Sequence, residues 1–232
     1  MVEVLRRRSL ALLGAGALLV PAACSGPAGA SDPRTAGAAE DLMLEHGVLR
    51  RVAALYAWLG RRLAAGDARF DLHALADAAQ LFRDFGEDFH QRMLEEAFVF
   101  PRAARAGGEA ARLVPVLQAQ HERGRDITDY VLAQGRSGRI DDPDALGGAL
   151  AAMAVMYESH AAREDAVVFP AWKASLSEAA YRDAGEQFRQ IERKLFGHDG
   201  LADAGRRIGR IEAALGLDDL SRFTAPVPPR AA

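Results

Sequence analysis

Four long segments of this chain repeat apolar residues at the helical period, and each interrupts its apolar stripe with a single histidine. The segments run over about Glu40–Ala65, Asp71–Phe98, Ala110–Gln134 and Asp144–Phe169. Recurrence every three to four residues marks helices that bury one face. The first stripe reads Leu42, His46, Leu49, Ala53, Tyr56, and the second Leu72, Leu75, Ala79, Phe82, Phe89, Met93, with His90 among them. The third reads Leu113, Leu117, His121, Gly124, Thr128, Val131. The fourth reads Leu146, Ala149, Met153, Met156, His160, Glu164, Val167. No strand pattern competes. Four helices of this length with short loops predict an all-α fold, an up-down antiparallel four-helix bundle. Two shorter helical stretches, Ser177–Phe196 and Asp199–Leu215, predict a C-terminal helical hairpin extension. Pro101 and Pro170 are expected to stop the second and fourth helices, and Pro115 is expected near the start of the third, where proline is tolerated. Asp142 or Asp144 is placed to cap the fourth.

A lone histidine on an apolar face is ordinarily a satisfied core residue, but one on each of four helices is not. A buried imidazole must find a partner or lose its charge. Four of them converging on one interior, with carboxylates beside them, resolve that conflict by sharing a cation, since neutral imidazole and ionised carboxylate are both metal ligands. The order along the chain supports this: His46, then His90 with Glu95; His121, then His160 with Glu164. The pattern His–His–Glu thus occurs twice, and "EEAFVFP" and "EDAVVFP" close the two halves. Such a repeat predicts a pseudo-twofold bundle with two metals near its centre.

These pieces, "LMLEHGVLRR", "FGEDFHQRMLEEAFVFPR", "LQAQHERGRDITDY" and "YESHAAREDAVVFPAW", resemble the hemerythrin family, specifically its bacterial His-His-Glu cation-binding domains. "FGHDGL" and "LGLDDLSRFTAP" are similar to the C-terminal extension of an exported subgroup. The resemblance implies a non-haem di-iron centre of two iron ions, oxo- or hydroxo- and carboxylate-bridged. Its terminal ligands would be His46, His90, His121 and His160, and its bridges Glu95 and Glu164. It implies binding, sensing or reduction of dioxygen, or of related small molecules such as peroxide and nitric oxide. Oxygen carriers of the family have a further histidine one turn along the third helix; here Arg125 stands there, preceded by Gly124. Arg125 is expected to point outward. Glu45, Glu96 and Asp165 are expected on solvated faces, and His73 and His198 at the surface.

The two halves differ by one residue. His160 and Glu164 are four apart, which an α-helix separates by about 40° of rotation. His90 and Glu95 are five apart, or about 140°. A π-bulge between His90 and Glu95 holds one extra residue per turn and returns both to the interior. The alternatives are a lost or single-metal site in the first half, or Glu96 acting as ligand from a distorted helix end.

The remaining signals concern placement. "RRRSLALLGAGALLVPAAC" sets Arg6, Arg7 and Arg8 before a short apolar run, the order of a signal peptide, and resembles a twin-arginine signal. "PAAC" resembles a lipobox whose Cys24 is lipidated; the alternative is cleavage after Ala30. The expected organisation is an export signal at 1–23, a flexible tether at 24–39, the bundle at 40–172 and the helical extension at 173–232. The protein is then periplasmic, or anchored to the membrane by lipid at Cys24. With Cys24 the only cysteine there is no intrachain disulfide and no Cys-held zinc or iron–sulfur site. A formal charge of −3, without a basic run beyond the leader, argues against nucleic acid as a partner. Beside the oxygen-related reading stand two others: a non-redox module holding iron, zinc or manganese, and a structural helical lipoprotein with core histidines.

Overall fold

A computed structural model describes residues 37–229. The expected export signal, Cys24 and the body of the tether lie outside the described residues. Among the described residues there are helices and turns and no strand.

Helix α1 spans Ala38–Ala64, with Glu40 and Asp41 in its first turn and Arg61 and Arg62 in its last, each sign complementing the helix dipole. A second rod is built from α2 (Leu72–Leu81), a π-helical stretch π1 (Phe82–Val99) and α3 (Phe100–Ala106). The Asp71 carboxylate starts it by accepting from the His73 N–H at 2.8 Å. After a Gly107–Gly108 turn at positive φ, α4 runs over Gly108–Ser137. The fourth rod comprises α5 (Pro143–Arg163), a short π2 (Glu164–Val168) and α6 (Phe169–Ala174). Of the two candidate caps, Asp142 is the one that accepts the Ala145 N–H, at 3.0 Å.

Proline behaves differently from the sequence expectation. Neither Pro101 nor Pro170 stops its helix; each lies in the first turn of a new α-helical segment, α3 and α6. The π-helical turns before them explain why. Phe100 N–H bonds back five residues to the Glu95 carbonyl, and Phe169 N–H to the Glu164 carbonyl. The register has shifted just where proline has no N–H to give, so the helix continues past it. Pro115 is not at a helix start either, because α4 begins at Gly108 and encloses it. The wide turns also correct the inner stripe of the second rod. Met93 was expected inside and is 37% exposed, because the extra residue per turn rotates it outward while Leu94 and Glu95 are fully buried.

The four rods bury one continuous core: α1 lies along α5, α2 along α4, and α3 against both α4 and α6. Glycine permits the closest approach. A Cβ on Gly60 would meet the Gly147 carbonyl oxygen at 3.0 Å, and one on Gly147 would meet Leu63 Cβ at 3.0 Å.

Two further helices, α7 (Glu178–Phe196) and α8 (Gly200–Ala214), follow as a hairpin, capped by Ser177 and Asp199. Each arm lies on the bundle: α7 against α1 and π1, α8 against α1 and α2. Trp172 stacks on Phe188, ring centroids 5.8 Å apart. The Tyr181 hydroxyl accepts the Ala39 N–H at 2.8 Å and donates to Glu40 at 2.5 Å, tying α7 to the first turn of α1. No described helix is long and apolar enough to cross a membrane.

Candidate metal centre

All six sequence-nominated residues meet in the bundle core. His46 comes from α1, His90 and Glu95 from π1, His121 from α4, His160 from α5 and Glu164 from π2. Each is at most 3% exposed. His73 and His198 are exposed, as expected, and take no part.

The π-helical register settles the spacing question geometrically. His90 Nε2 lies 3.1 Å from Glu95 Oε1 across the five-residue interval, and His160 Nε2 lies 3.0 Å from Glu164 Oε2 across four. The register change is broader than a single bulge in the first half, extending over Phe82–Val99, and it recurs after Glu164 in the second. Glu96 is not the inward carboxylate.

The carboxylates span the cluster. Glu95 directs Oε1 at His90 and, at 3.8 Å, at His46, while Oε2 is 3.4 Å from His121 Nε2. Glu164 Oε2 is 3.0 Å from His160 Nε2 and 3.4 Å from His46 Nε2. Two groups of possible ligands result, His46–His90–Glu95 and Glu95–His121–His160–Glu164, sharing Glu95. The imidazoles lie in tilted pairs, with ring centroids 4.7 Å apart at 57° for His46–His90 and 4.8 Å apart at 46° for His121–His160. His121 Nε2 and His160 Nε2 approach to 3.1 Å.

This geometry fits a cation. His46 Nε2, His90 Nε2 and all four oxygens of Glu95 and Glu164 are buried without a hydrogen-bond partner. Unpartnered polar atoms in a core cost free energy, about 1–3 kcal/mol each. Such imidazole nitrogens and carboxylate oxygens, gathered into two groups that share Glu95, are the donor set a metal site requires.

The outward edges of the rings are held as carefully. His46 Nδ1 donates to Asp165 at 2.7 Å, His90 Nδ1 to Glu45 at 2.6 Å, His121 Nδ1 to Glu96 at 2.8 Å and His160 Nδ1 to Gln120 Oε1 at 3.0 Å. Carboxylates only accept, so Nδ1 must carry the proton and Nε2 is the atom left to coordinate. These partners overturn the expectation that Glu45, Glu96 and Asp165 lie on solvated faces. Glu45 is 7% exposed, and the other two are partly buried against a histidine. Arg125 was expected to point outward. It turns inward and hydrogen-bonds Glu96, while Arg50, four residues after His46 as Arg125 is after His121, bonds Asp165 at 2.7 Å. An arginine–carboxylate–histidine chain is thus built twice. Gly124, buried on the same face as His121, contributes no side chain.

The repeated Phe-Pro has a role in each half. Phe169 stacks on His46 at 5.4 Å and Phe100 on His121 at 5.3 Å, each fixing the ring plane of a histidine in the opposite half. Tyr157, absent from the sequence stripe, lies between the halves: its ring is stacked 5.9 Å from His160 and edge-on 6.1 Å from His46.

Burial opposes charge at His46, His90, His121, Glu95 and Glu164, and their mutual pairing overcomes it. Desolvation lowers His121, but Glu95 and Glu96 raise it to about 9. His46 and His90 are also raised despite burial, by Asp165 and Glu164 and by Glu95 and Glu45. Burial pushes Glu95 and Glu164 up, yet the neighbouring histidines hold both below the usual carboxylate range, Glu95 far below. Burial, then the charges of Glu95 and Glu164, push the Tyr157 hydroxyl well above its ordinary value, so it remains a donor.

The fold and the site together define an all-α bundle protein built around an internal His/Glu cation site. The hemerythrin HHE cation binding domain matches residues 37–172, and the chain belongs to that family. Proteins of Mycobacterium bovis and Mycobacterium tuberculosis, both described as uncharacterized, are 43% identical to it over 190 residues, covering 81% of this chain and 73% of theirs. No solved structure matches the chain significantly.

Proposed function

We propose that this is an exported di-iron protein that binds, senses or reduces dioxygen or a related small molecule such as peroxide or nitric oxide. The observation that supports it best is the set of buried, unpartnered Nε2 and carboxylate oxygen atoms shared between two half-sites through Glu95. His46, His90 and Glu95 would hold one ion, and His121 and His160 the other, with Glu95 and Glu164 bridging. Held by these residues, iron would supply reversible one-electron chemistry towards a small molecule. The chain fixes the imidazoles through their Nδ1 partners and excludes water by burial. It also supplies one ligand fewer than the family's oxygen carriers, since Arg125 stands where they have a further histidine. Open positions favour reaction with an exogenous molecule. The leader with Arg6–Arg8 and Cys24 supports export, with residues 40–172 as the metal-binding unit and 173–232 as its helical extension. Cell fractionation of wild type and Cys24→Ser tests the anchoring.

The deciding experiment is metal analysis after anaerobic reconstitution, with an optical spectrum before and after air. We expect about two irons per chain, as in other carboxylate-bridged bundle sites, and near-ultraviolet charge-transfer absorption on oxidation. His160→Ala should lose metal while keeping its helical circular dichroism. No bound iron refutes the reading; zinc or manganese bound without reactivity towards air establishes the non-redox module instead.

A further inference from the structure

Beyond the ligands and their Nδ1 partners, one polar atom at the centre has no function assigned to it. Tyr157 is 3% exposed, and its hydroxyl has no hydrogen-bond partner. A buried hydroxyl without a partner is unfavourable by about 1–3 kcal/mol, which phenylalanine at the same position avoids. The side chain is placed by packing alone. Phe82 meets it edge-on at 5.2 Å, and its ring lies along His160 and at right angles to His46. Those two histidines belong to different half-sites, so the tyrosine stands between them. It lies on α5 one helical turn after Met153, whose methyl carbon sits 3.4 Å from where a Cβ on Gly124 would be. Met153 therefore fills the space beside Gly124, and the unused donor lies one turn further along the same stripe, Met153–Tyr157–His160.

We propose that Tyr157 is a positioning residue whose hydroxyl donates a hydrogen bond to the small exogenous ligand bound between the two half-sites. The proposal rests on the metal reading above. A molecule with a lone pair or negative charge remote from the metals is the chemical class it selects: dioxygen species, azide or nitric oxide, and not an alkyl or other apolar ligand. The hydroxyl acts on the ligand and does not hold the metal. The iron content and the histidine geometry are therefore independent of it.

The test uses azide as the probe, titrated optically into the oxidised, metal-loaded full chain, for wild type, Tyr157→Phe and Tyr56→Phe. Tyr56 also has a buried, unpartnered hydroxyl, but it lies ten residues beyond His46 on α1 and serves as control. We expect Tyr157→Phe to weaken azide binding about tenfold, the loss of one hydrogen bond to a charged acceptor. Its metal stoichiometry stays unchanged, and metal-free urea unfolding shows equal or greater stability. The azide vibrational bands of the wild type should shift in deuterated water, and that shift should vanish in Tyr157→Phe and persist in Tyr56→Phe. A structural role would not move this signature. Unchanged azide affinity and an unchanged deuterium shift in a fully metal-loaded Tyr157→Phe protein overturn the proposal alone. A wild-type chain that takes up no metal overturns the metal reading, and this proposal with it.

Discussion

Removing the metal should convert the centre into a proton-holding site, with a measurable dependence of stability on pH. Without a cation, His121 is enclosed by Glu95 Oε2 at 3.4 Å and Glu96 Oε1 at 2.8 Å. Desolvation disfavours its charge, but the two carboxylates outweigh it and raise its pKa to about 9. In the unfolded chain a histidine titrates near 6.5. The folded value is the higher one, so the stabilisation is fully present below pH 6.5 and is lost as pH rises through about 9. At 1.36 kcal/mol per pKa unit the difference is about 3 kcal/mol. His46 and His90 are shifted in the same direction and add to the loss. Against a total stability of about 5–15 kcal/mol, this is a large fraction.

The assay is urea unfolding of chelator-treated protein between pH 6 and pH 10, followed by the fluorescence of buried Trp172 and by circular dichroism. With a slope of about 2 kcal/mol per molar urea, the midpoint should fall by at least about 1 M across that range. His121→Gln should flatten the alkaline limb while lowering stability at neutral pH. Metal-loaded protein should not show the limb, because a coordinated imidazole has no Nε2 proton to lose. Binding must therefore release protons, and apparent metal affinity should climb from pH 6 until His121 has titrated near 9. A metal-free midpoint that is flat or rising between pH 6.5 and 9.5 would refute the account of the core as paired imidazolium and carboxylate.

Other expectations follow from single contacts. Glu96→Gln or Asp165→Asn removes the charge behind one coordinating histidine and should lower metal affinity about 10–100-fold, read by competition with a chromophoric chelator. His160 alone has a neutral partner, Gln120, so its half-site should release metal first in stepwise chelation; Gln120→Glu should bring the two release steps together. Gly135 is buried where α4 crosses α2, and a Cβ there would overlap Ala76 Cβ and lie 3.3 Å from its Cα. Gly135→Ala should therefore cost about 1–3 kcal/mol in thermal unfolding while leaving metal stoichiometry unchanged.

Much of the fold was legible because burial is periodic. The inner residues of α1 and α4 could be read directly from the apolar stripe, and with them His46 and His121. Four histidines at matching depths then implied a common centre before any contact was known. What the stripe could not supply is anything contributed across helices. Glu45, Glu96 and Asp165 sit next to a ligand in sequence, and on their own helices they point away from the inward face. Only the neighbouring rod turns that direction into a buried one. Each adjoins a candidate ligand, His46, Glu95 or Glu164 in turn, and that adjacency was the available signal. Tyr157 and Met156 are neighbours, and the apolar period alone does not say which of the two faces the centre; the tyrosine is buried and the methionine only partly so. Met93 was misplaced because the stripe was counted at the α-helical period through a stretch that has more residues per turn.

The one-residue mismatch between the halves is best understood through the Phe-Pro that follows each glutamate. In both halves phenylalanine is five residues after the glutamate and proline six. In both, the phenylalanine N–H reaches back to the glutamate carbonyl, and its ring covers a histidine of the other half. The spacing that matters for registering the two halves is therefore glutamate to phenylalanine, and it is identical. The spacing from histidine to glutamate differs, and π1 absorbs the difference upstream. Its wide turns begin at Phe82, well before His90, whereas π2 begins only at Glu164. An insertion in the histidine–glutamate interval thus reaches the site as a change of helical pitch, and leaves Glu95 Oε1 as close to His90 as Glu164 Oε2 is to His160 within 0.1 Å. Deleting Leu94 would restore the four-residue spacing but rotate every residue from Phe82 to Arg92 relative to α4. On this argument it should disrupt the core around Phe85 and Phe89 more than it disturbs the Glu95–Phe100–His121 unit.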